Sequence, residues 1–272
     1  MLVFPNAKIN LGLNVVARRP DGYHDIETVF YPIPVCDALE MVPAVSGSTT
    51  FSPSGIAVDC APETNLVMKA YRLLQVDFPL PEVDIYLQKH IPFGAGLGGG
   101  SADAAFALRL LNDFADLHLS TEQLENYAVK IGADCPFFIR DMPVFAQGIG
   151  NIFSQIDLSL AGYYFVLVKP DIHVSTQAAY QGVKAQAPKE SVIDIIRRPV
   201  DTWHLHLHND FENGVFAQYP AIGQIKEALY RQGAIYAAMS GSGSAVFGLF
   251  YRELDVASVF PDCWVFGDYL WE

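Results

Sequence analysis

The sequence predicts a compact protein that mixes strands and helices in one large domain or two smaller ones. Three observations predict it. Of 272 residues, 51% are hydrophobic and only 17% charged, which supplies a real core and leaves little room for extended disorder. Val83, Ile85 and Leu87 alternate with Asp84, Tyr86 and Gln88, the period-two signature of a strand. Ser120-Thr121-Glu122-Gln123 is a capping box ahead of apolar Leu124, Tyr127, Ala128 and Ile131, the signature of a helix that Gly132 closes.

In chain order, Ile9, Leu11, Leu13 and Val15 alternate with Lys8, Asn10, Gly12 and Asn14, so residues 4–16 form a strand with Lys8 and Asn10 on one face. That face is either solvated or functional. Pro20-Asp21-Gly22 is a turn, with φ fixed at the proline and permissive at the glycine. Just beyond it, Tyr23 and His24 offer an aromatic face and an imidazole to a planar ring, or simply pack. Residues 31–62 read as further strands with Pro and Ser-Gly-Ser turns. Thr64-Asn65 caps a helix carried by Leu66, Val67, Ala70, Leu73 and Leu74 and ended before Pro79. The 83–87 strand then feeds a glycine stretch and a second helix, carried by Ala104, Ala105, Ala107, Leu108, Leu110, Leu111 and Phe114, expected beside the first.

That stretch, Pro92-Phe93-Gly94-Ala95-Gly96-Leu97-Gly98-Gly99-Gly100-Ser101-Ala102-Asp103-Ala104-Ala105, is the centre of the functional argument. Glycines permit positive φ and close approach of an anion, so consecutive N–H groups can converge on a phosphate. The helix N-terminus adds about half a positive charge. The order strand, loop, helix fits a polyphosphate site, and the residues exclude its commoner forms. Gly94-x-Gly96-x-x-Gly99 satisfies the dinucleotide pattern, yet the acid that should end a second strand falls at Asp113 or Asp116, in helix or loop. A Walker loop needs Lys where Ser101 stands, and no His-Arg-Asp or Asp-Phe-Gly follows.

The net charge of −13 excludes nucleic acid and anionic membrane as partners, because most of the surface repels them. An anionic substrate must be held by loop amides and a few cations, with Lys8, Arg18, Arg19 and Lys89 the candidates. Cys36, Cys60, Cys135 and Cys263 are scattered without a CxxC pair, as in reduced cytoplasmic proteins. With no signal peptide and no long apolar run, the expectation is a soluble cytoplasmic protein.

Further on, Gly132-Ala133-Asp134-Cys135-Pro136-Phe137-Phe138 sets an acid in apolar company, where a carboxylate is costly unless a cation or a substrate hydroxyl pairs with it. Helix capping is the plainer role. A short strand at 144–146 ends the first domain, and the second begins near Gly148-Ile149-Gly150, giving 1–149 and 150–272. Residues 162–168 read as a strand and 174–180 as a helix start. In Trp203-His204-Leu205-His206-Leu207-His208, three alternate histidines share a face if the run is a strand and lose it if helical; no acid or cysteine stands at ligand spacing. Pro220, Ile222, Ile225, Ala228 and Leu229 mark a helix ended by Gly233. Ala237-Ala238-Met239-Ser240-Gly241-Ser242-Gly243-Ser244-Ala245-Val246-Phe247 is a second glycine-serine loop running into a strand, either a hairpin turn or the second wall of the phosphate site. Beyond Val246 no motif is legible.

Together these stretches resemble the small-molecule kinases named for galactokinase, homoserine kinase, mevalonate kinase and phosphomevalonate kinase, the GHMP kinases. The likeness covers nearly the whole chain through Lys8 with its strand, residues 92–105 and residues 239–247. Ala7-Lys8-Ile9-Asn10-Leu11, Arg19-Pro20-Asp21-Gly22-Tyr23-His24 and the segment 132–138 are similar to the branch whose alcohol substrate carries cytidine diphosphate, in the non-mevalonate route to isoprenoids. The resemblance implies a two-domain α+β GHMP kinase fold. Its N-terminal ATP-binding and catalytic domain has a left-handed βαβ unit, against the usual hand, and its C-terminal domain is ferredoxin-like. It implies ATP and Mg²⁺ as cofactors. Asp134 would accept or orient the proton of the substrate 2-hydroxyl, while Lys8 keeps Asp134 ionised and neutralises the moving phosphoryl group. Residues 92–102 would wrap the ATP phosphates, with Ser101 near Mg²⁺ and Lys89 near adenine. Tyr23 and Tyr180 would stack on cytosine, His24 and Asn10 would hydrogen-bond the substrate, and Thr176 would lie on its side; Ser240, Gly241, Ser242 and Gly243 form the second phosphate-side loop. Tyr180 stands where relatives often carry Phe, and Ala102-Asp103 where relatives carry Ser-Asn. A kinase of the same fold for homoserine or mevalonate is disfavoured by Tyr23-His24, since those alcohols have no base to stack, and a non-catalytic relative by the presence of Lys8 and Asp134.

Overall fold

The computed structural model describes residues 1–57 and 62–271; Cys60 lies outside the described residues. In chain order the strands are β1 (Leu2–Val3), β2 (Asn6–Arg18), β3 (His24–Cys36), β4 (Ala38–Pro43), β5 (Thr50–Gly55), β6 (Val83–Lys89), β7 (Val144–Gln147), β8 (Ile152–Gln155), β9 (Tyr164–Lys169), β10 (Tyr236–Met239), β11 (Val246–Phe250) and β12 (Trp264–Tyr269). The helices are α1 (Leu66–Asp77), α2 (Gly99–Phe114), α3 (Thr121–Ile131), α4 (Cys135–Arg140), α5 (Thr176–Gln181), α6 (Val192–Ile195), α7 (Trp203–His206), α8 (Phe211–Gln218), α9 (Pro220–Arg231) and α10 (Val256–Val259). Among the described residues no helix is long and apolar enough to cross a membrane.

The chain forms two compact units. One comprises Met1–Ala7, Val35–Phe93 and Gly98–Met142. Its sheet has the order β1-β4-β6-β5, antiparallel except where β5 and β6 run parallel through the α1 crossover. Asn65 caps α1 by accepting from the Val67 N–H at 2.9 Å, and Ser120 and Gln123 close a capping box on α3. The apolar stripes of α1 and α2, among them Ala70, Leu74, Leu108 and Leu111, are buried with Leu39, Met41, Ile85 and Leu87 of the sheet. The two helices lie side by side.

The other unit comprises Lys8–Pro34, Gly94–Leu97 and Pro143–Glu272. It holds a sheet of order β2-β3-β7-β8 and an antiparallel sheet of order β10-β11-β9-β12, with α9 against β10 and β11. Leu13, Val15, Val166, Val168, Leu229, Met239 and Val246 share one core.

Strand β2 matches the alternation, but both of its faces are buried: Lys8 is 4% and Asn10 2% exposed. Its polar face is covered by glycine-loop and second-loop backbone, so alternation here separates apolar from polar burial rather than inside from outside. At 203–206 the strand alternative is corrected. Trp203 and Leu207 are both buried, a four-residue spacing that selects the helical turn α7, so the histidines do not form a common strand face. Among the described residues there is no group of three or more His, Cys, Asp or Glu placed to hold a metal.

Candidate active site

In the unit containing β2, three backbone segments meet around one ammonium group. The Lys8 Nζ donates to Asn10 Oδ1 at 2.7 Å and to the Gly96 carbonyl at 3.3 Å, and lies 4.6 Å from the centre of the Phe30 ring. Asn10 in turn donates through Nδ2 to Thr28 Oγ1 at 3.1 Å, and the Thr28 hydroxyl donates to the Gly12 carbonyl. Each donor finds an acceptor in one direction only, which fixes the Asn10 amide with its oxygen toward Lys8. A buried ammonium needs such oxygens, because desolvation otherwise favours its neutral form.

The two glycine loops touch here. Ser240 Oγ donates to the Gly96 carbonyl at 2.9 Å and accepts from the Asn10 N–H at 3.3 Å; the Ala245 N–H reaches the Ala95 carbonyl at 3.2 Å, and the Lys8 N–H the Leu97 carbonyl at 3.0 Å. A Cβ on Gly96, whose φ is +76°, would fall 2.1 Å from the Ser240 carbonyl oxygen, so only glycine fits. The second loop is the β10–β11 hairpin turn and also lies against the first loop. Asn209, which no sequence signal singled out, anchors it by donating to the Met239 and Gly241 carbonyls, both at 2.8 Å.

The same unit brings together several residues read as substrate-side. The His24 ring stacks on Tyr180 with centroids 4.7 Å apart and planes 16° apart, and Tyr180 meets Phe211 edge-on at 4.8 Å. Tyr23, in the turn after Gly22, is 62% exposed. Thr176 Oγ1 lies 3.4 Å from Ser242 Oγ of the second loop. Arg19 pairs with Asp21 and Asp25.

In the unit containing α2, Gly98 takes φ +72° and the helix starts at Gly99, inside the glycine stretch. Its first-turn N–H groups are therefore carried by Gly99, Gly100 and Ser101, with Phe93 exposed before the loop. Asp134 is half-buried at the N-cap of α4, yet its side chain makes no capping hydrogen bond, which removes the plainest role for it. Next to it, burial pushes the Cys135 thiol up to about 11, opposed by a hydrogen bond from Ser101. That contact brings the start of α4 against the first turn of α2. Lys89 lies elsewhere in this unit, 4% exposed, its Nζ bonded to Asp37 Oδ2 and, at 2.7 Å, to Asp103 Oδ2. Burial and the nearby Asp37 outweigh the Lys89 charge and raise the Asp103 carboxyl to about 7.

The GHMP kinases N terminal domain family matches residues 65–142, and the GHMP kinases C terminal family matches residues 194–260. The 4-diphosphocytidyl-2-C-methyl-D-erythritol kinase of Bacteroides fragilis is 61% identical over 255 residues, 93% of each chain. That of Parabacteroides distasonis is 57% identical over 274 residues, 100% of this chain and 98% of its own. A solved 4-(cytidine 5'-diphospho)-2C-methyl-D-erythritol kinase superposes with TM-score 0.82 at 30% identity over 98% of both chains. The Methanococcus jannaschii mevalonate kinase superposes with TM-score 0.74 at 13% identity over 100% of this chain and 98% of its own, a likeness of fold alone.

Proposed function

The chain belongs to the 4-diphosphocytidyl-2-C-methyl-D-erythritol kinases, within the GHMP kinases, and from that premise we propose how its residues divide the work. It is an ATP-dependent kinase of isoprenoid precursor biosynthesis. The reaction moves the γ-phosphoryl group of ATP to the 2-hydroxyl of 4-diphosphocytidyl-2-C-methyl-D-erythritol. The hydroxyl oxygen attacks phosphorus, its proton passes to the Asp134 carboxylate, and the bond to the bridging oxygen breaks to release ADP. A carboxylate set beside buried Cys135, Phe137 and Phe138 supports the proton-accepting role.

The single observation that carries the phosphoryl-transfer reading is the Lys8 ammonium held against the glycine loop by Asn10 and the Gly96 carbonyl. In such a place a cation offsets charge on the phosphoryl oxygens. Residues 92–102 bind the phosphates, through the positive-φ glycines 94, 96 and 98 and the α2 N-terminus. Ser240 to Gly243 brace that loop. Tyr23, His24, Thr176 and Tyr180 take the cytidyl end, and Asn10, already engaged with Lys8 and Thr28, serves the substrate chiefly by aiming Lys8.

For Mg²⁺, the described residues offer no group of three or more His, Cys, Asp or Glu placed to hold a metal. Mg²⁺ accordingly enters with ATP, held chiefly by the substrate phosphates and waters. The free thiols Cys36, Cys135 and Cys263 support a cytoplasmic setting. The test is ADP release with Mg–ATP and, in parallel, 4-diphosphocytidyl-methylerythritol, homoserine, mevalonate and galactose. Turnover confined to the cytidyl substrate is expected; turnover with another alcohol, or with none, overturns the assignment.

A further inference from the structure

The structure assigns a positioning role to a buried cluster, Asp37, Lys89 and Asp103, which we infer ties the two ends of the glycine loop together and so sets the loop for ATP. The inference rests on the kinase reading above. Asp37 stands between β3 and β4, and its Oδ1 accepts from two consecutive backbone N–H groups at the loop entrance, His90 at 2.6 Å and Ile91 at 2.9 Å. Its Oδ2 takes the Lys89 ammonium, and the same ammonium reaches Asp103 Oδ2 at 2.7 Å, just beyond the loop exit on α2. One cation thus joins the strand that enters the loop to the helix that leaves it.

All three side chains are buried, with Asp37 1%, Asp103 3% and Lys89 4% exposed. The space between entrance and exit is closed as well: a Cβ on Gly99 would lie 2.9 Å from Ile91 Cγ2 and 3.4 Å from Lys89 Nζ. The Lys89 backbone is occupied too, because its carbonyl accepts from the Ile56 N–H at 2.9 Å and would sit 2.3 Å from a Cβ on Gly55. Lys89 therefore supports nucleotide binding through the loop it anchors.

Energetics favour positioning over plain stability. A buried ion cluster gains little over well-packed apolar side chains, since desolvation offsets attraction, so the return lies in the geometry it specifies. Asp103 Oδ1, buried and without a hydrogen-bond partner, shows that the cluster is not optimised for stability. Two carboxylates to one ammonium also place no surplus positive charge beneath an anion site, which again separates the cluster from direct phosphate contact.

The experiment pairs Asp37→Asn with the milder Asp103→Asn in the full chain, and reads Mg–ATP binding by calorimetry without alcohol substrate, steady-state kinetics, and amide hydrogen exchange. Asp37→Asn should weaken Mg–ATP about tenfold, the size of one charge-assisted hydrogen bond. KM for ATP should rise more than kcat falls, with KM for the alcohol steady. Exchange protection should drop at 90–91 and 99–103 while α1 and α3 keep theirs. Asp103→Asn should show the same pattern more weakly. Wild-type ATP affinity in both variants, or protection lost evenly through α1, α2 and α3, overturns the positioning role. If the wild-type chain binds Mg–ATP but transfers nothing to the cytidyl alcohol, the substrate assignment fails while the binding and exchange results still decide this one.

Discussion

Two lysines, Lys8 and Lys89, are equally hidden at 4% exposure and sit in opposite surroundings. Within its own unit Lys8 donates to an amide oxygen and a backbone carbonyl and lies over the face of Phe30. Lys89 is held by two carboxylates that leave the cluster with no surplus positive charge. An amide and a carbonyl orient an ammonium, whereas the carboxylates around Lys89 use its charge to join backbone segments. On the roles proposed above, Lys8 serves the reaction and Lys89 the scaffold.

The comparison is broken or upheld most directly by parallel removal. Lys8→Met should cut kcat by about 10²–10³, the range for a preorganised electrostatic donor, with little change in Tm. Lys89→Met leaves two buried carboxylates facing each other and should lower unfolding free energy by about 3–5 kcal/mol, read by denaturant titration. Should Lys8→Met unfold the chain, or Lys89→Met silence turnover at saturating ATP with Tm intact, the two roles are reversed. Asp134→Asn sharpens the Lys8 side. It should reduce kcat about 10²–10⁴-fold, as for loss of a positioned acid–base group, while calorimetry shows Mg–ATP affinity kept. Near-normal turnover would remove Asp134 from the mechanism and leave Lys8 to act by electrostatics alone.

Why the two lysines look alike in the sequence is physical. Lys8 falls in a clean alternation and Lys89 just ahead of five glycines, so both read as cations beside an anion loop. What separates them are partners that local patterns cannot supply: Asp37 lies 52 residues before Lys89, and Ser240 lies 230 residues after Asn10. The local devices were legible, because the Asn65 cap, the Ser120 capping box and the helix after Gly98 depend on neighbours within a turn. Strand β12 carried no such device, and the Asp255 cap of α10 was not read. Asn209 was silent for the same reason as Asp37, since its carbonyl partners come from a loop 30 residues away.

A smaller effect isolates the proposed cytidyl end from both lysines. Tyr180 lies flat on His24 and edge-on to Phe211, so Tyr180→Ala removes a stacking surface and leaves the ammonium groups in place. KM for the cytidyl alcohol should rise about tenfold, the worth of one base–aromatic stack, with KM for ATP unmoved. Equal weakening of both substrates would make the aromatic stack part of the scaffold, on the Lys89 side of the comparison.

The smallest expected effect is a slope. In the folded chain the Asp103 carboxyl is raised from 3.8 to about 7 by burial and by the neighbouring Asp37, against the pull of Lys89. An acid whose folded value is raised keeps its proton in the native state after the unfolded state has lost it. Between about pH 4 and pH 7 the native state therefore binds more protons, and stability falls as pH rises. The contribution is fully present below pH 4, gone by about pH 7, and flat above. Asp103→Asn keeps the shape without the titration, so its Tm should decline less than the wild type's from pH 4.5 to 7.5, with the two curves parallel beyond. Parallel curves across the whole range would mean that Asp103 is ionised throughout. Lys89 would then be a fully charge-paired strut, and its contrast with Lys8 sharper still.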